Sequence, residues 1–127
     1  MIGKLRTVVV DCKNPETLAG FYAEVIGGHT ETNDADWVVL TAPGGTRLAF
    51  QRSPEHVPPH FPDPTGSQQF HLDIQVDDVD EAEREVLALG ATRIPDVGNE
   101  SGNPFRVYRD PAGHTFCLVW GVPYLTT

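Results

Sequence analysis

Two helix starts 64 residues apart, Asn14 and Asp78, are followed by two proline-containing turns 68 residues apart, Pro43 and Pro111. A chain that repeats its punctuation at one offset is built from two copies of one unit. Each copy, about 60 residues long, reads as strand, helix and three strands. Two copies are too few for a stacked solenoid, so the repeat is expected to close on itself as a pseudo-twofold sheet.

The local signals agree in both halves. Thr7 to Cys12 is β-branched and runs into Asn14, a good N-cap, and Pro15, which suits the first helical position. Leu18, Phe21, Tyr22, Val25 and Ile26 then form an apolar stripe that stops at Gly27-Gly28. After a short strand near His29 to Thr32, Trp37 to Ala42 and Arg47 to Arg52 flank Pro43-Gly44-Gly45-Thr46 as a hairpin. The second half opens with Phe70 to Val76, which alternates strictly, and Asp78 with Glu81 makes a capping-box-like start. Val79, Ala82, Val86 and Leu89 supply its stripe, and Gly90 its stop. Ala91 to Ile94, Phe105 to Arg109 and His114 to Trp120 complete the copy, with a turn at Asp110 to Gly113.

These elements predict an α+β fold of two βαβββ modules, a curved β cup with helices on its outer face. The first module spans about 1–53 and the second about 68–127, joined by a Pro-rich linker at 54–67. Ser53 to Ser67 holds five prolines and cannot continue a ladder. At 127 residues the whole is read as one domain able to bury a core. The net charge of -9 argues against nucleic acid or an anionic membrane as partner. The N-terminus reads as neither signal peptide nor membrane span, so a cytoplasmic location is expected. Cys12 and Cys117 are read as free thiols.

Period two sorts the strands into faces. One is apolar: Val8, Val10, Val38, Leu40, Leu48, Phe50, Phe70, Leu72, Ile74, Val76, Phe116, Leu118 and Trp120. The helices should pack there, with Phe21, Tyr22, Val25, Leu72, Ile74 and Leu118 in one core. The other face is mixed, and includes Thr7, Trp37, Ala49, Gln51, His71, Asp73 and Cys117. Apolar walls with a few polar groups suit a small ligand. Trp37 is the candidate for stacking on a planar molecule.

From Leu5 to Trp120 the chain resembles the vicinal-oxygen-chelate superfamily, in its glyoxalase-like branch alongside bleomycin-resistance proteins and dioxygenases. The resemblance rests on NPETLAGFYAEVIGG, RLAFQRSPE, FHLDIQVDD and DPAGHTFCLVW taken in order. It implies, in the family's enzymes, one metal ligand from each of the first, fourth, fifth and eighth strands. By position these are Thr7, Gln51, His71 and Cys117, with Ala49 competing with Gln51. Threonine stands where histidine is usual and cysteine where glutamate is usual, a poor set for Fe, Mn, Ni or Mg. If a divalent metal is taken, His71, Gln51 and Cys117 favour zinc; the alternative is no metal.

The expected function is therefore binding of a small organic molecule, in a resistance or sequestration role, by Thr7, Trp37, Gln51, His71, Asp73 and Cys117. The alternative is a lyase, isomerase or dioxygenase of this family with His71 catalytic, with or without a metal. Imidazole is the side chain suited to proton transfer near neutral pH. Asp73 either orients His71 or pairs with Arg47 or Arg109. The resemblance also implies a homodimer. His56, His60 and His114, in or beside loops, are read as surface residues.

Overall fold

A computed structural model describes residues 1–95 and 104–121. The last residues of the expected second module, 122–127, lie outside them. Two compact units divide between Val57 and Pro58.

The first unit runs β1 (Val8–Cys12), α1 (Pro15–Ile26), β2 (His29–Asp34), β3 (Trp37–Thr41) and β4 (Arg47–Arg52). Its four-stranded sheet has the order β1, β4, β3, β2, with β1 parallel to β4 and the other pairs antiparallel. The second unit runs β5 (Leu72–Gln75), α2 (Val79–Ala88), β6 (Thr92–Ile94), β7 (Phe105–Arg109) and β8 (Thr115–Val119). Its sheet repeats the pattern as β5, β8, β7, β6, with β5 parallel to β8. The α+β class and the duplication follow the sequence reading. The expected closure into one pseudo-twofold sheet does not: two separate sheets form, each with two edge strands.

Both helices start where the side chains dictate. Asn14 Oδ1 accepts the Thr17 N–H at 3.1 Å, and Asp78 Oδ1 accepts the Glu81 N–H at 3.1 Å. Each cap satisfies an amide that the first helical turn leaves without a backbone partner. Helix α1 ends at Gly27, and Gly28 follows at φ +96°, where a Cβ would collide with the Thr41 carbonyl oxygen. Glycine at 28 is what lets the chain turn back beside β3.

In the first unit, α1 lays Leu18, Ala19, Phe21 and Tyr22 on the sheet face bearing Val38, Leu40, Leu48 and Phe50, all buried. Tyr22 stacks on Phe50 at 5.8 Å and takes Phe21 edge-on at 5.0 Å. In the second, α2 stands over the face carrying Tyr108, Phe116 and Leu118, and Tyr108 stacks on Phe116 at 5.4 Å. Glu83 on α2 accepts the Tyr108 hydroxyl hydrogen at 2.8 Å and pairs with Arg93 at 3.1 Å. Its second oxygen lies 3.5 Å from Arg106, which also reaches Asp80 at 3.0 Å. The residues expected to share one core are thus divided: Phe21 and Tyr22 serve one unit and Leu118 the other, while Val25, Leu72 and Ile74 are half-buried.

Two further expectations are corrected. Phe70 is 93% exposed and lies outside the sheet, because β5 begins only at Leu72. Gln69 adopts φ +67°, and the register that pairs Leu72 with Phe116 leaves Phe70 opposite the turn before β8. Leu89, expected on the buried stripe, is 40% exposed because α2 ends at Ala88. Among the described residues, no helix is long and apolar enough to cross a membrane.

Candidate functional site

With α2 on one side of the second sheet, the opposite side carries Asp73, Cys117, Val107 and Ile94 in a row across four strands. Gln75, Val119 and Phe105 form the row on one flank. On the other, His71 precedes β5 beside the Thr115 and Arg109 pair. Parallel and antiparallel partners share a face, so this placement follows from register alone.

Ile94, Val107, Cys117 and Val119 form a buried apolar cluster on that face, with Phe61 and Phe105 packed against it. Phe61 comes from the Pro-rich segment, which is more than a linker. Pro58 lies against Gly113, and the Phe61 carbonyl accepts a hydrogen bond from Arg109 Nη2. Asp63 closes the segment's turn by accepting from the Thr65 amide at 2.8 Å and hydroxyl at 2.9 Å. Those Thr65 hydrogen bonds hold the Asp63 carboxyl below its usual range.

Beside the cluster, His71 Nε2 stands 3.3 Å from Asp73 Oδ1. The donor atoms of His71, Asp73 and Cys117 all lie within 4.8 Å of one another. Asp73 therefore faces His71, and neither arginine is needed to place it. Burial pushes the Cys117 thiol up to about 12, reinforced by the Asp73 charge and the hydrogen bond the thiol gives it. The three make a close imidazole, carboxylate and thiol group, in which the thiol donates to Asp73 and the sulfur is protonated at neutral pH.

Thr7, Trp37 and Gln51 belong to the first unit. There Trp37 is half-buried and pairs with Gln51 across β3 and β4, and Gln51 pairs with Asp11 on β1. Register also decides which β4 residue corresponds to Cys117. Val9 pairs with Ala49 as Asp73 pairs with Cys117, so Ala49 is the counterpart and Gln51 matches Val119. The four repeat-related positions are Thr7, Ala49, His71 and Cys117. Alanine has no donor, threonine a weak one, and the thiol holds its proton. As donors these residues suit hard divalent metals poorly, and zinc bound through sulfur would first have to remove that proton.

Phe61 and Phe105 were not singled out from the sequence. Alternation in FRVYR does place Phe105, Val107 and Arg109 on one face, whereas nothing in a proline-rich stretch marks Phe61. Cys12 and Cys117 are both buried thiols outside any disulfide. His60 is exposed, and His56 and His114 are half-buried, none of them in this group.

Comparison with known proteins agrees with this layout. A family model described as a glyoxalase-like domain matches residues 7–119. No curated protein matches. Among solved structures, a glyoxalase/bleomycin resistance protein/dioxygenase family enzyme from Burkholderia phytofirmans is similar at a TM-score of 0.71 and 20% identity, over 94% of this chain and all of the other. A fosfomycin resistance protein from Listeria monocytogenes is similar at 0.71 and 17% identity, over 96% of each chain. A bleomycin-binding protein from Streptomyces verticillus is similar at 0.58 and 20% identity, over 96% of this chain and all of the other. At these identities the structures speak for the fold, and the family model for membership. A duplicated βαβββ chain with this match belongs to the glyoxalase-like domain family, within the vicinal-oxygen-chelate superfamily.

Proposed function

We propose that this protein binds a small organic molecule at the face of its second sheet away from α2, in a sequestration or resistance role. The observation that carries this reading is the apolar cluster of Ile94, Val107, Cys117 and Val119, flanked by Phe61 and Phe105 and bordered by the His71 and Asp73 pair. Apolar walls with a few convergent polar groups are what a small-molecule site requires. The fosfomycin resistance and bleomycin-binding relatives support a role of this kind. In the unit as it stands the apolar residues would supply most of the affinity, and His71 and Asp73 the orientation.

Titrating isotope-labelled protein with a panel of small aromatic compounds tests the reading. Amide shifts should cluster at Phe105, Val107, Cys117 and Val119, and Phe105→Ala should weaken binding at least about tenfold, the worth of about 1.4 kcal/mol. Shifts confined to the helices, or none across the panel, would reject it.

A second reading is favoured by one observation, the 3.3 Å approach of His71 Nε2 to Asp73. A carboxylate on one ring nitrogen leaves the other to take a proton from a bound molecule. In this reading His71 is a metal-free general base and Asp73 its orienting partner. Thr7, Trp37 and Gln51 would serve a ligand of the first unit's open face.

We also read the protein as a homodimer, since isologous pairs are the commonest oligomers. Light scattering should then give twice the chain mass of 13.9 kDa. A single-chain mass across micromolar concentrations would refute it.

A further inference from the structure

Thr115 on β8 is 3% exposed, yet its hydroxyl oxygen finds no hydrogen-bond partner among the described residues. Buried hydroxyls are nearly always satisfied, so an orphan on a ligand face points to a missing group. Thr115 lies on the face of the second sheet away from α2, two residues before Cys117 and directly opposite Arg109.

Arg109 is the second observation. Unlike Arg93 and Arg106, which pair with carboxylates of α2, it forms no ion pair among the described residues. Its described hydrogen bond goes to the neutral carbonyl of Phe61. A guanidinium carries five N–H donors in a planar fork shaped for a carboxylate or phosphonate. In a chain of net charge -9, an arginine spent on one backbone carbonyl is a located positive charge beside an unused hydroxyl.

We propose that Arg109 and Thr115 form an anion subsite that takes the carboxylate of an arylalkanoate-like ligand, whose ring lies against the half-buried Phe61 and Phe105 at the edge of the Val107 and Cys117 cluster. This deepens the binding reading above and rests on it. Two residues along a strand span about 7 Å, which separates the anion subsite from the apolar patch by the length of a short aryl acid. The segment holding Phe61 is the counterpart of the ligand. Its carbonyl fills the Arg109 fork in the free protein, and on binding the carboxylate replaces it while the Thr115 hydroxyl gains an acceptor. Pro58 against Gly113 anchors the segment ahead of that exchange, and the Asp63 turn fixes the chain's own path after it.

Calorimetric titration with 3-phenylpropanoate and its neutral analogue 3-phenylpropan-1-ol tests this on wild type, Thr115→Val and Arg109→Gln. The acid should bind at least about tenfold tighter than the alcohol, and in each variant the ratio of acid to alcohol affinity should fall to about one. Because valine removes an unpartnered hydroxyl, free Thr115→Val should also melt no lower than wild type. Acid and alcohol binding equally would overturn the anion subsite and leave the small-molecule reading standing. Failure of both to bind would overturn both. A Thr115→Val protein that keeps wild-type affinity for the acid, or melts below wild type, would also overturn the subsite.

Discussion

Replacing Phe116 by alanine is expected to lower the unfolding free energy by about 3–5 kcal/mol, whereas Phe70→Ala should change it by less than about 0.5 kcal/mol. Period two in two different segments, 70–76 and 114–120, placed both phenylalanines on the apolar face. The structure separates them. Phe116 is fully buried, stacks on Tyr108 at 5.4 Å and pairs through β8 with Leu72, while Phe70 is 93% exposed. Removing the Phe116 ring leaves a cavity beneath α2 and frees Tyr108, whose hydroxyl holds Glu83. Since domains are stable by only about 5–15 kcal/mol, this single change removes a large share. Urea melts of the two variants decide the matter: equal effects would mean that the second sheet's faces are wrongly assigned.

What the sequence disclosed follows from how local each signal is. Asn14 and Asp78 cap their helices as read, because a cap needs only its own neighbours three residues on. The duplication was equally legible, since it is a matter of offsets. The start of β5 was not. Alternation continues back to Phe70, but a strand exists only where a partner runs beside it, and β8 offers none before Thr115. The site was legible in part for the same reason. Period two put His71, Asp73 and Cys117 on one face, and they do converge. Choosing between Ala49 and Gln51 needed register, although the 68-residue turn offset already carries Cys117 onto Ala49. Phe61 was invisible, because its place depends on Arg109 and Gly113, roughly 50 residues away in sequence.

The largest kinetic effect is expected at Cys117, which in the native protein should react with a disulfide reagent about a thousandfold more slowly than an ordinary exposed thiol at about pH 8. The thiolate is the nucleophile, and each unit of pKa changes its population tenfold. Burial first, then the Asp73 charge and hydrogen bond, raise this thiol from 9.0 to about 12. At 3% exposure the reagent's access adds to the delay. A Cys12→Ala background removes the other buried thiol, so that the rate belongs to Cys117 alone. In that background Asp73→Asn should speed labelling, since it removes the charge that disfavours the thiolate. The same shift bears on stability. An unfolded thiol loses its proton near 9.0 and the folded one near 12, so between them the folded state holds the extra proton. Its contribution is therefore complete below pH 9 and is lost progressively as the pH climbs from there towards 12. Cys117→Ala should flatten that alkaline loss. Rapid labelling of native protein that Asp73→Asn leaves unchanged would show that the thiol neither sits in the apolar cluster nor feels the carboxylate.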